Sequence, residues 1–216
     1  MGEMEESGLM SRMYLKICGL QTAETVAAAV TAGANAIGFV FATGSPRTIT
    51  AELAAELGRE VPMGVETVGV FRNQPIGTVV DTALRAALTT VQLHGNEPVA
   101  DMVRLREEGF RTLRAFSAAS YSALDPAQKL AWASERILLD AVDPGAGVAF
   151  DSTLLEGATP SGFWLLAGGL TPNNVAQLAT ALRPNGVDVS SGVESLRGVK
   201  DPQLIRDFIG AARTVP

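Results

Sequence analysis

Cys18 closes the apolar run Tyr-Leu-Lys-Ile-Cys, and a thiol in that place can serve as a base. An unperturbed thiol ionises near pH ~8.5, so a usable fraction is thiolate near neutrality, and a nearby cation enlarges it. Asp140 closes a second run, Ile-Leu-Leu-Asp; a carboxyl group whose surroundings raise its pKa can donate a proton. Arg47, after Gly44-Ser45-Pro46, offers a guanidinium fork that matches a carboxylate. His94 stands between Val91-Gln92-Leu93 and Gly95. Two further runs end in Gly168-Gly169 and in Ser190-Ser191-Gly192. Small residues let an anion approach the main chain, and a helix start adds unpaired N–H donors. One acid, one base, a carboxylate clamp and a phosphate cradle fit a proton-shuffling isomerisation of a phosphorylated sugar derivative.

Each of these residues also has a plainer reading. A lone cysteine at a strand end commonly packs as a small hydrophobe. A single aspartate there caps a turn, an arginine behind Ser-Pro can be a solvated surface residue, and a histidine can hydrogen-bond locally. Gly and Ser loops hold phosphate in many enzymes, so they identify a handle and not a reaction.

What must position these residues is a recurring strand-then-helix unit. Strand-like runs span Tyr14 to Ile17, Ala36 to Phe41, Glu66 to Phe71, Thr90 to Leu93, Thr112 to Ala115, Ile137 to Leu139, Phe163 to Ala167 and Val187 to Val189. Helical patterns lie between them. One runs from Thr22 to Thr31 and stops at Gly33; one is capped by Thr50. One from Pro75 buries Ile76, Val79, Val80, Ala83 and Leu84, and one opened by Pro98 buries Val99, Met102, Val103 and Leu105. A weaker pattern covers Ala123 to Ala133, Thr171-Pro172 cap the seventh, and Asp201-Pro202 open the last. Eight such units predict an α/β fold, a single compact (β/α)8 TIM barrel over residues 13–216. An open doubly wound sheet is the structural alternative, but it does not account for anion loops after units seven and eight. Residues 1–12 are read as a disordered leader or an appended remnant.

Barrel active sites lie at the C-terminal strand ends, where all of these residues fall. Alternation along each strand puts Lys16 with Cys18, Gln92 with His94, and Asp188 with Ser190 on faces whose neighbours are apolar, so these sets point inward. A buried Lys16 must be paired. Strands one and eight adjoin in a closed barrel, and Asp188 is the predicted partner.

Composition narrows the function classes. With 17 Lys and Arg against 23 Asp and Glu the net charge is −6, which is unsuited to a nucleic-acid surface. One cysteine and one histidine give neither a disulfide nor a Cys/His zinc site, so no metal and no cofactor is expected. No apolar run approaches the ~20 residues of a membrane span, and no basic-then-apolar leader is present, which points to the cytoplasm. An acidic surface without an apolar edge suggests a monomer whose partner is a small phosphorylated substrate.

Taken in order, Lys16-Ile17-Cys18-Gly19, Gly38-Phe39-Val40-Phe41 with Ser45-Pro46-Arg47, Val68-Gly69-Val70-Phe71, Val91-Gln92-Leu93-His94-Gly95, Leu138-Leu139-Asp140, Ala167-Gly168-Gly169-Leu170 and Val187-Asp188-Val189-Ser190-Ser191-Gly192-Val193-Glu194 resemble the phosphoribosylanthranilate isomerase family. The resemblance runs from Lys16 to about Phe208. It implies a cofactor-free Amadori rearrangement in tryptophan biosynthesis, with Asp140 as general acid and Cys18 as general base. It further implies that Arg47 holds the anthranilate carboxylate, that Gly168, Gly169, Ser190, Ser191 and Gly192 hold the phosphate, and that His94 lines the site. One departure stands out. The family's loop after strand six commonly reads Gly-Gly-x-Gly-Lys-x-Phe-Asp-Trp, whereas Pro144-Gly145-Ala146-Gly147-Val148-Ala149-Phe150-Asp151-Ser152 lacks the lysine and the tryptophan. Two alternatives compete: a non-catalytic phosphate-sugar binding barrel, and a histidine-pathway or bifunctional sugar isomerase. The latter resembles this chain in fold but uses an aspartate after strand one and has two similar halves.

Overall fold

The apolar runs form β1 (Tyr14–Cys18), β2 (Ala36–Val40), β3 (Glu66–Phe71), β4 (Thr90–Leu93), β5 (Arg111–Ser117), β6 (Ile137–Asp140), β7 (Trp164–Ala167) and β8 (Gly186–Val189). In the computed structural model, which describes residues 13–140 and 159–215, these strands hydrogen-bond in chain order into a closed barrel. All pairings are parallel, and β1 closes on β8 with Lys16 opposite Asp188. A (β/α)8 barrel is therefore the fold. Between the strands lie α1 (Ala23–Ala32), α2 (Ala51–Gly58), α3 (Ile76–Arg85), α4 (Val99–Glu107), α5 (Ala118–Ser122), α6 (Pro126–Ala131), α7 (Val175–Leu182) and α8 (Pro202–Ala212). No helix among the described residues is long and apolar enough to cross a membrane.

Local chemistry sets the helix ends. Thr22, Thr50 and Asp201 each accept a backbone N–H of the turn that follows, and α1 stops at Gly33 with φ 96°. The weak pattern over 123–133 is not one helix. Asp125 and Gln128 close a capping box with Pro126 at the first helical position, so a new helix starts there and α5 cannot run through it. The seventh helix starts at Val175 and not at Thr171, because Asn174 accepts from Thr171 N and donates to Gly169 O, holding the intervening residues in a turn. Leu84 and Val103, expected inside, are 58% and 42% exposed at the edges of their helix faces.

Alternation along the strands divides the core. Leu15, Ile17, Ile37, Phe39, Phe71, Leu93, Leu139 and Leu166 belong to the large layer under the helices. Leu113, Ala115, Leu138, Leu165 and Ala167 form a second cluster that fills the barrel, and Cys18, Val40 and Val70 a third near its mouth. Arg213, just past α8, ties the end of the chain to the segments that lead into β1 and β2 by donating to Met13 O, Gly33 O and Asn35 Oδ1.

The opposite, N-terminal end is a salt-bridged rim. Glu66 receives both Nη atoms of Arg136 at 2.9 Å and the Thr90 hydroxyl at 2.5 Å. Burial pushes its carboxyl upward, but these bonds and the Arg136 charge outweigh it and hold the pKa at about 2. A 710 Å³ surface groove opens here beside Arg106, Arg111, Glu135 and Arg136. Its arginines are engaged by Glu66 and Glu135, so the groove holds no unpaired cation with which to bind a ligand.

Candidate active site

The C-terminal strand ends bring the predicted residues to one mouth. Cys18, the last residue of β1, is buried. Gly38 on β2 makes room for it, since a Cβ there would lie 2.9 Å from the thiol sulfur. Below it Lys16 is fully buried, with Nζ 2.9 Å from Asp188 Oδ1, so the predicted ion pair is present. Burial pushes Lys16 down, yet Asp188 and Cys18 outweigh that and its pKa is raised. Burial pushes the Cys18 thiol up; Lys16 and Lys200 pull it toward the thiolate, Asp188 opposes them, and the net direction is upward. Cys18 therefore rests as a thiol with two cations nearby.

Asp140 ends β6, and its Oδ2 lies 3.9 Å from His94 Nε2. The Gln92 amide nitrogen lies 3.2 Å from His94 Nδ1. When it donates, the imidazole proton sits on Nε2 and faces Asp140. Burial, followed by the charges of Lys16, Arg72 and Arg114, holds the His94 pKa down to about 4. The ring is thus neutral at physiological pH and meets Asp140 as a polar donor rather than as a cation. The loop carrying His94 is pinned from outside the barrel. Glu97 accepts from Asn73 N and Gly95 N, and Arg114 donates to Glu97, Leu93 O and Gly95 O while stacking 4.4 Å from the Phe116 ring centre. Loop 144–152, which lacks the family's lysine and tryptophan, lies outside the described residues.

Arg47 has a partner that the sequence did not indicate. Its Nε and Nη2 donate to Glu194 Oε1 and Oε2 at 2.6 and 2.8 Å. Glu194 begins an antiparallel hairpin, β9 (Glu194–Leu196) and β10 (Val199–Lys200), which follows a 3-10 turn at Ser191–Val193. Lys200, also buried, donates to Glu194 Oε1, Ser190 O and Ser190 Oγ at 2.7, 2.8 and 3.1 Å. Burial pushes the Glu194 carboxyl upward, but Arg47, Lys200 and the Gly198 N–H hold it at about 2. The sequence showed Glu194 only as the end of the Ser-Ser-Gly-Val-Glu block and Lys200 only as the neighbour of a helix cap.

The expected phosphate residues form one corner. Gly168 and Gly169 take φ of 88° and 64°, which a residue with a side chain adopts at a cost. A Cβ on Gly192 would lie 1.7 Å from Leu170 O, so the loops after β7 and β8 touch through backbone. The first N–H groups of the turn at Ser191–Val193 have no partner within that turn, which suits an anion. Gly19 joins this corner to the Arg47 loop: a Cβ there would meet Arg47 Cδ at 2.7 Å and Ser190 Oγ at 3.3 Å. Among the described residues no group of three or more His, Cys, Asp or Glu is placed to hold a metal ion.

Comparison with known proteins points the same way. The family model described as N-(5'-phosphoribosyl)anthranilate isomerase matches residues 15–211. A relative of that name from Paracoccus denitrificans is 44% identical over 207 residues, covering 92% of this chain and 96% of its own length. The crystal structure of TrpF from Jonesia denitrificans superposes with a TM-score of 0.83 at 42% identity, covering 94% of this chain and 98% of that one. A phosphoribosylanthranilate isomerase in complex with reduced 1-(o-carboxyphenylamino)-1-deoxyribulose 5-phosphate superposes with a TM-score of 0.80 at 34% identity, covering 94% and 99%. By the extent of these matches, this chain belongs to the N-(5'-phosphoribosyl)anthranilate isomerase family.

Proposed function

We propose that the chain converts N-(5-phosphoribosyl)anthranilate into 1-(2-carboxyphenylamino)-1-deoxyribulose 5-phosphate, a step of tryptophan biosynthesis. The observation that carries this reading is the convergence, at one mouth, of Cys18 between two lysines, Asp140 beside a neutral histidine, an arginine fork and a glycine-serine corner. The glycines and Ser190 to Gly192 hold the phosphate, and Arg47 holds the anthranilate carboxylate, so the ribose lies between fixed ends. Effective concentration at the reacting carbons then comes from orientation.

In this reading Asp140 gives its proton to the ring oxygen as the C1–O bond breaks, and the nitrogen lone pair forms the iminium. The Cys18 thiolate removes the proton from C2, and the electron pair of that C–H bond forms C1=C2 while the nitrogen becomes neutral. The enol hydroxyl then loses its proton and C1 gains one, giving the ketone. Protons and electrons balance without a change of oxidation state overall. Neutral His94 steadies Asp140 without competing for the proton it must give. Lys16 and Lys200 lower the cost of charging the thiol in a buried place.

The chain is read as a cytoplasmic monomer. Support for the latter is that the exposed apolar side chains Met63, Leu84, Val103 and Leu130 stand on separate segments, and that among the described residues only Leu196 and Val199, paired across the β9–β10 hairpin, adjoin one another; equilibrium sedimentation decides it. For the activity, purified protein depletes the fluorescent substrate, and Cys18→Ser and Asp140→Asn each lower kcat by about 100-fold or more, the usual scale of general acid–base contributions. Full activity in either variant removes that residue from the mechanism.

A further inference from the structure

Glu194 is not among the groups read as touching substrate, yet its carboxylate is 4% exposed and holds two cations at once. Each of its oxygens takes two donors: Oε1 accepts from Arg47 Nε and Lys200 Nζ, and Oε2 from Arg47 Nη2 and Gly198 N. A guanidinium presents two edges suited to a carboxylate, the side-on edge of Nε with Nη2 and the end-on edge of Nη1 with Nη2. Glu194 occupies the side-on edge, and Nη1 makes no hydrogen bond or ion pair with another described residue. The arginine stem is confined as well. A Cβ on Gly19 would press on its Cδ, and a Cβ on Gly198 would lie 3.1 Å from Pro46 Cβ, so the hairpin packs on the loop that carries Arg47.

We propose that Glu194 is a positioning residue: it locks Arg47 by the side-on edge so that the end-on edge receives the substrate carboxylate. The proposal rests on the reading of Arg47 as the group that holds that carboxylate. Without Glu194 the arginine would have to be ordered by the ligand itself, and the cost would appear in affinity. Lys200 holds Glu194 from the far side and grips Ser190 O and Oγ, so the arginine lock and the phosphate corner share one carboxylate.

The test compares two stable ligands by calorimetry: reduced 1-(o-carboxyphenylamino)-1-deoxyribulose 5-phosphate and its counterpart without the carboxylate. Glu194→Gln keeps the size of the side chain and removes the charge. It weakens the carboxylated ligand about tenfold more than the other, because preorganisation of Arg47 serves that ligand only, whereas any loosening of the phosphate corner through Lys200 acts on both. In kinetics KM for the substrate rises by a similar factor while kcat stays within about threefold, the split expected when uniform binding is lost. Equal weakening of both ligands, or of neither, overturns the proposal. The parent protein and Arg47→Gln separate this from failure of the underlying reading. If the parent binds both ligands alike, or Arg47→Gln affects both alike, Arg47 does not hold the carboxylate and the proposal falls with it. Should Glu194→Gln not fold, Glu194→Asp keeps the charge, withdraws it from the fork and is expected to discriminate in the same direction.

Discussion

Replacing Lys16 by methionine strikes stability and chemistry together. Its ammonium is wholly buried and lies 2.9 Å from Asp188 Oδ1, and the Asp188 side chain is 8% exposed. Removing the cation strands a carboxylate in the barrel interior, and breaking a buried pair from one side costs about 3–5 kcal/mol. At roughly 2–4 °C per kcal/mol for a chain of this size, Tm falls by roughly 6–20 °C. Replacing both partners, Lys16→Met with Asp188→Leu, leaves no stranded charge and recovers most of the loss. Urea denaturation of parent, single and double variants measures both effects. The second readout is catalytic. Lys16 is the largest influence opposing the burial of Cys18, so in the single variant the thiol pKa rises further and the acid limb of kcat/KM moves to higher pH. A single variant within about 1 kcal/mol of the parent, or a double variant less stable than the single, would refute this account of the barrel interior.

Three further outcomes follow from the site and the rim. In Gly192→Ala the new Cβ meets the Leu170 carbonyl, which is backbone and cannot swing away, so the loops after β7 and β8 part. Overpacking of this kind costs about 1–3 kcal/mol, read here as a KM rise of roughly tenfold; an unchanged KM excludes that corner as the phosphate site. Burial raises the Cys18 thiol, and a base must be deprotonated to act, so kcat/KM in the parent climbs with pH through neutrality and beyond the ordinary thiol range near ~8.5. A profile that is flat across that span removes Cys18 as the ionising base. Glu66 and Glu194 have carboxyl pKa values of about 2, against about 4.3 in an unfolded chain. A depressed carboxylate contributes stability in full above its unfolded value and loses it as pH falls toward the folded one, so the loss lies between about pH 4.5 and 2. After discounting for solvent screening, Glu66→Gln costs about 1–2 kcal/mol at neutral pH and progressively less toward pH 2, followed by Tm against pH; a penalty that persists in acid contradicts the assignment.

Much of the architecture was legible because the forces that write it are local. Here the short apolar runs that end in Cys18, His94, Asp140 and Gly168-Gly169 recur between helical patterns and form the buried strands, and side-chain alternation sends Lys16 and Asp188 to the same interior. Closure of eight units then makes those two residues neighbours, so their pairing could be deduced across 172 positions. Where local signals were weak or competed, the reading missed. Pro126 split a single helical pattern in two, and the Asn174 amide delayed the start of α7 by holding a turn. The thiol, the acid, the arginine and the anion loops were visible as residue types at strand ends, and so was the likeness to one family. The hairpin at 194–200 was not, since a three-residue and a two-residue strand carry no period. Nor could the lock on Arg47 be read from the chain, because its partner is 147 residues away and belongs to no repeating pattern. Ion pairs in the mouth depend on how the segment after β8 folds back over the ends of β1 and β2. That path is a property of packing between loops, and it fixed which carboxylate the arginine holds and brought Lys200 near the thiol.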